Sequence, residues 1–171
     1  ISFMFSITNT SAAITLLCLA AMPFFTALLA FLFLKETISI NVWIAIIIAT
    51  IGIIIMAIGN TSEASLIGFI FGMTSSIGFA VFSVTLRWRK ETPKFTTTAF
   101  AGFFCVILSS IMILSKDLVF FSSSYNSSLF SLHGTLVCIG LILYSIGSKA
   151  IPAAELTLLS LTEVIGGIFW V

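Results

Sequence analysis

Six stretches of this 171-residue chain stay apolar for about 17 to 25 residues, the length that carries an α-helix across the hydrocarbon core of a bilayer. They occupy 11–34, 42–58, 66–86, 98–114, 132–148 and 153–171, after an apolar stub at 1–7. A buried strand is also a continuous apolar run, but strands last about 4 to 8 residues. Barrel strands alternate in and out over about 10. Neither pattern occurs, and unsatisfied backbone groups are so costly in hydrocarbon that runs of this length must be α-helices. Composition agrees: 60% of residues are hydrophobic and 8% charged, against about a quarter charged in a soluble domain. The expected fold is an all-α integral membrane protein, a polytopic helix bundle with the lipid bilayer as its first partner. A net charge of +1 gives no field for recruiting nucleic acid.

The basic residues carry the orientation. Short cytoplasmic loops collect Lys and Arg, and Lys35, Arg87, Arg89, Lys90, Lys94 and Lys149 fall in alternate loops, with only Lys116 on the other side. This split puts 35–41, 87–97 and 149–152 in the cytoplasm and 60–65 and 116–131 outside. Trp43 and Trp88 then lie at the cytoplasmic interface, where indole rings prefer to sit. The chain opens on Ile1 and stops inside an apolar run, so it reads as a fragment of a longer protein.

Within the spans, Gly68, Gly72, Ser76 and Ala80 recur every four residues and lie on one helical face, along which backbones can approach closely. Ala45, Ala49 and Gly52 form a shorter stripe. Packing inside the monomer, a homodimer interface and a ligand groove are the readings open for such stripes. Pro23 interrupts the run 11–34: it has no N–H for the carbonyl of Leu19 and should kink or break the helix. Such a break either shapes packing or exposes backbone carbonyls, as in the discontinuous helices of transporters. Cys18, Cys105 and Cys138 sit singly in apolar runs and read as small buried apolar residues.

Two carboxylates enter the last run. Glu155 lies near its cytoplasmic end, within reach of the interface. Glu163 lies near the midplane, where a charge is expensive and marks a functional candidate. At 3.6 residues per turn the two are about 80° apart, with Ser160 and Thr162 in the same stretch. Cavity lining or substrate contact, a hydrogen bond as a neutral acid, and proton coupling are the roles open to Glu163. His133 reads as a residue of the outer surface. No Gly-rich phosphate loop, His-Glu-x-x-His or nucleophile elbow occurs, and the loops are too short for an aqueous catalytic domain. The chain is therefore expected not to be an enzyme and to hold no metal or organic cofactor.

The segment Pro23-Phe24-Phe25-Thr26-Ala27-Leu28-Leu29-Ala30, running on through Phe31-Leu32-Phe33-Leu34 into Lys35-Glu36 and followed by a helix with Gly52, resembles the EamA-like transporters of the drug/metabolite transporter superfamily. The stretch 151–171, with Ala153-Ala154-Glu155 and Glu163, is also similar. A faint internal echo accompanies it: 12–19 resembles 154–161, in runs of opposite direction by the loop count. The resemblance implies a ten-helix carrier of two inverted five-helix repeats, both truncated here: 1–60 as the end of the first repeat and 61–171 as the second without its last helix. It implies a permease exchanging small metabolites or amino-acid-like solutes by alternating access. Glu163, Thr26, Ser160, Thr162, the Pro23 kink and Trp170 are then the substrate-pathway candidates, on helices 11–34 and 153–171. A passive channel and a structural assembly protein are the rival readings. Where the family's second copy often has Pro after the Glu, this chain has Val164.

Overall fold

The computed structural model describes residues 1–59, 65–88, 93, 95–115 and 123–170, without the side chains of 49, 52–54, 56–59, 165 and 167–170. Arg89, Lys90, Lys94 and Lys116 lie outside the described residues, as do Ala49 and Gly52 of the shorter stripe beyond their backbone. Every described element is helical: α1 (Ser2–Asn9), α2 (Ala12–Leu19), α3 (Met22–Leu29) with a π-helical turn at Ala30–Leu34, α4 (Ile40–Gly59), α5 (Leu66–Trp88), α6 (Thr96–Ser115), α7 (Ser124–Gly147) and α8 (Ala153–Trp170). Four stretches among the described residues are long and apolar enough to cross a membrane: Ala12–Leu34, Leu66–Trp88, Thr96–Ser115 and Ser124–Gly147. The chain is an all-α polytopic membrane protein.

It divides into two compact units, one of 1–90 with 151–171 and one of 91–150. In the first, α5 is the central helix, with α1, α2 and α3 packed along it and α3 also against α8. The small residues on α5 explain the arrangement. A Cβ at Gly68 would stand 2.7 Å from Thr10 Cβ and 3.1 Å from the Asn9 backbone. One at Gly72 would stand 2.8 Å from Cys18 Cβ and 3.0 Å from Ser6 Oγ. Ser76 and Ala80 are fully buried one and two turns further on, followed by Val84. Helix α1 is held down by the stacked rings of Phe5 and Phe71, 5.1 Å apart. The stripe is thus covered by the amino-terminal helices of its own chain.

Span 12–34 breaks at Ala20–Ala21, just before Pro23, which occupies the first turn of α3, where its missing N–H costs nothing. The backbone tightens there, with ψ of −12° at Ala20 and −8° at Ala21, against about −42° in a regular helix. Bonding shifts toward three-residue spacing: the Ala20 N–H is shared between Leu16 O at 3.0 Å and Leu17 O at 3.1 Å, and the Ala21 N–H reaches Cys18 O at 3.2 Å.

In the second unit, α6 and α7 lie against each other. No residue of α6 is buried and only Ser145 of α7 is; the outer surfaces carry Phe100, Phe103, Leu132 and Leu136, as a bilayer requires. Cys105 and Cys138 are exposed on these helices, so the expectation of burial holds only for Cys18. Helix α7 begins eight residues before the run expected from 132. Its polar first turns are stabilised as a helix because Ser123 Oγ caps the Tyr125 N–H at 3.2 Å, while the hydroxyls of Ser128, Ser131 and Thr135 return to carbonyls of their own helix at 2.7–2.9 Å.

Gly72→Val should lower the thermal stability of the detergent-solubilised protein by about 1–3 kcal/mol, because its side chain would overlap Cys18 and Ser6. Gly78→Ala on the same helix meets nothing within 4 Å and should leave stability unchanged or raise it by up to about 1 kcal/mol. Paired melting curves of the two variants measure the difference.

Candidate functional site

The packed side of the first unit contains a chain of small hydroxyls. Ser6 Oγ donates to Gly68 O at 2.8 Å and is hydrogen-bonded to Thr15 Oγ1 at 2.9 Å. One turn along, Ser76 Oγ donates to Cys18 O at the break of span 12–34. Thr157 on α8 is fully buried and returns its hydroxyl to Ala153 O and Ala154 O at 3.1 and 3.0 Å. Each of these hydroxyls enters an apolar interior with a partner, as burial demands.

Thr26 departs from that rule. It is fully buried on α3, and its Oγ1 has no hydrogen-bond partner. An unsatisfied buried hydroxyl costs about 1–3 kcal/mol. Pro23, one turn earlier, is also fully buried. Around Thr26 the layer is apolar: its neighbour Ala27 packs with Val42, Ile46 and Ala154.

Helix α8 divides into two faces. Ala153, Ala154, Thr157 and Val164 are buried. Glu155, Leu159, Thr162, Glu163 and Gly166 are exposed and, at about 100° per residue, fall within about 100° of arc on the opposite side. Ser160 sits at the border and donates to Thr157 O at 2.7 Å, while Thr162 donates to Leu159 O at 2.8 Å. Their hydroxyls are thereby satisfied within the helix, leaving the two carboxylates as the groups of this face still seeking partners outside it. Lipid is an unsuitable neighbour for such a face, since a carboxylate at the bilayer centre costs about 2.5–3.5 kcal/mol on insertion scales.

The sequence-predicted residues therefore separate into two places. Thr26 and Pro23 lie in the packed interface of α3. Thr162 and Glu163 lie on the open face of α8, Ser160 at its border, and the side chain of Trp170 lies outside the described residues. The four small residues of α5 face α1–α3. Sequence reading missed Ser6, Thr15 and Thr157, because single hydroxyls in apolar runs carry no periodic signal until their helices are packed. It also missed an ion pair: Arg87 Nε donates to Glu36 Oε1 at 2.7 Å. Those residues are 51 apart, and only the topology brings them together.

Ser76→Ala should lower thermal stability by about 1 kcal/mol, because it strips a donor from a carbonyl at the helix break. Thr74→Ala on the exposed side of α5, where the hydroxyl bonds only Ile70 O of its own helix, should cost less. Thermal unfolding of both variants in one detergent decides the order.

Compared with known proteins, residues 1–58 match the model of the EamA-like transporter family. No curated protein and no solved structure matches the chain. The match spans α1, the broken span and α4, and it contains the Pro23–Glu36 segment. Its members are membrane transporters of the drug/metabolite superfamily. Over residues 1–58, therefore, this multi-pass membrane protein is similar to the EamA-like transporter family.

Proposed function

We propose that the chain belongs to a secondary transporter of small metabolites or amino-acid-like solutes, working by alternating access with the open face of α8 lining its solute pathway. The observation that carries this reading is the position of Glu163: an exposed carboxylate in an otherwise apolar membrane helix, on the face opposite the packing with α3. Such a face wants water, solute or a polar protein surface beside it. The EamA-like segment supplies the class, and the broken span at Pro23 is the kind of element with which carriers place backbone polar groups at midplane depth.

On this reading Glu163 contacts the solute or its coupling proton, with Thr162 beside it. Thr26 is a second-rank pathway residue, its unpartnered hydroxyl becoming useful in a conformation that opens the α3–α8 packing. The basic loops lie in the cytoplasm. The two halves of the complete carrier are inverted repeats, the first ending near residue 60. No cofactor takes part.

Glu163→Gln should reduce solute counterflow in reconstituted vesicles at least about tenfold, the loss expected when a charge-assisted contact worth more than about 1.4 kcal/mol becomes neutral, while the protein still inserts at the wild-type level. Undiminished counterflow in that variant would remove Glu163 from the pathway. A screen of amino acids and small organic metabolites with the wild type provides the solute.

A further inference from the structure

The end of the first unit that carries Lys35 and Arg87 is held by an ion pair over a buried apolar layer. The span 12–34 does not stop as an ordinary helix. Its last turn is π-helical, Lys35 adopts left-handed φ and ψ of 52° and 30°, and the Lys35 and Glu36 N–H groups both return to Ala30 O. A left-handed residue at this position reverses the chain direction at a helix end. The reversal leaves the Glu36 side chain against the last turn of α5, where Arg87 meets it at 2.7 Å, both side chains largely shielded from solvent at 24% and 12% exposure. Arg87 also sits at the carboxyl end of α5, where the helix dipole favours a cation.

Beneath the ion pair lies a dry layer. Ala30, Val84 and Ala153, from the π-turn, α5 and α8, are 0%, 5% and 1% exposed and pack with Leu29 and Leu34. Three elements thus converge under one charged clasp. Beside it, a cleft of about 60 Å³ between Glu36, Ser39 and Val42 on one side and Pro152 and Glu155 on the other has room for about two waters. The cleft adjoins Glu36 of the clasp, whereas Ala30, Val84 and Ala153 of the layer are buried.

We propose that the Glu36–Arg87 ion pair and the Ala30–Val84–Ala153 layer form the gate at the basic end of the solute pathway, closed in this structure and opened by rupture of the pair. The inference rests on the transporter reading. A partly exposed ion pair suits a gate because it is directional enough to hold two helix ends in register, yet its loss is small enough to be offset by hydration of the separated charges. Rupture frees α8 from the π-turn and lets water pass into the packed side of α8 toward the buried hydroxyl of Thr26.

The test is a cysteine reporter at Ala153, with Cys18, Cys105 and Cys138 replaced by Ala, in inside-out vesicles exposed to a membrane-impermeant maleimide. With the pair intact, labelling should be slow. Glu36→Gln and Arg87→Gln should each accelerate it about fivefold, the shift equivalent to loss of about 1 kcal/mol. The exchange Glu36→Arg with Arg87→Glu should restore the slow rate. Where neutral variants do not insert, Glu36→Asp, which withdraws the carboxylate by one methylene, should give an intermediate rate. Labelling that ignores the single variants, or that is as fast in the exchanged pair as in them, overturns the gate. No solute enters the assay, so its result is independent of counterflow: slow labelling restored by exchange with no transport of any tested solute leaves the gate standing and removes the carrier reading.

Discussion

Hydrocarbon offers no hydrogen bonds, and most of this structure is arranged around that deficiency. Unbroken helices meet it internally, and hydroxyls along α5, α7 and α8 fold back on carbonyls of their own turn. The requirement becomes acute at Ala20–Ala21, where the helix ladder is interrupted. The remedy is partly local, through the Ala21 N–H on Cys18 O, and partly tertiary. The Ser76 hydroxyl reaches Cys18 O from another helix, and it can do so because Gly72 and Gly68 leave α5 without side chains that would hold α1 and α2 away. A break in one span and a small-residue face on another are therefore two halves of one solution.

That face of α5 continues beyond the break. Through Ala80 and Val84 it supports the second half of the span, and it ends in Arg87, which meets the carboxylate just past the left-handed turn at Lys35. The same helix thus binds the broken span at its middle by a neutral hydrogen bond and at its end by charge. These two contacts differ in how they respond to motion. The buried one is costly to lose because no water replaces it; the terminal one has water in reach and can be exchanged for hydration.

The opposing faces of α8 show how one helix serves both packing and chemistry. Ala153, Ala154 and Thr157 are small enough to lie close against α3 and the π-turn, while Glu155 and Glu163, eight residues apart, fall on the other side. Both carboxylates were legible as anomalies in an apolar run. Thr26 was legible as part of the segment that resembles the EamA-like family, yet its position inside the packed layer, apart from Glu163, was not. Whether a hydroxyl on α3 points into a layer or a cavity depends on the crossing of α3 and α8, and one helix's sequence does not encode its partner's phase. The early start of α7 was hidden for a related reason: its first turns are polar by composition, and hydropathy does not register that Ser and Thr hydroxyls satisfy their own helix.

By itself the sequence determined that the chain is helical and membrane-spanning, that span 12–34 is interrupted near Pro23, that Gly68, Gly72, Ser76 and Ala80 share a face, and that Glu163 stands in an apolar helix. Each is a matter of length, period or local stereochemistry, which neighbouring residues along the chain settle among themselves. Tertiary structure alone decided that the small face receives the broken span, that Ser76 completes the hydrogen bonding at the break, and that Glu36 finds Arg87. These depend on residues 51 to 62 positions apart meeting across helices. Their partners are chosen by the angle and depth at which helices cross, and that geometry follows from the packing of several helices at once.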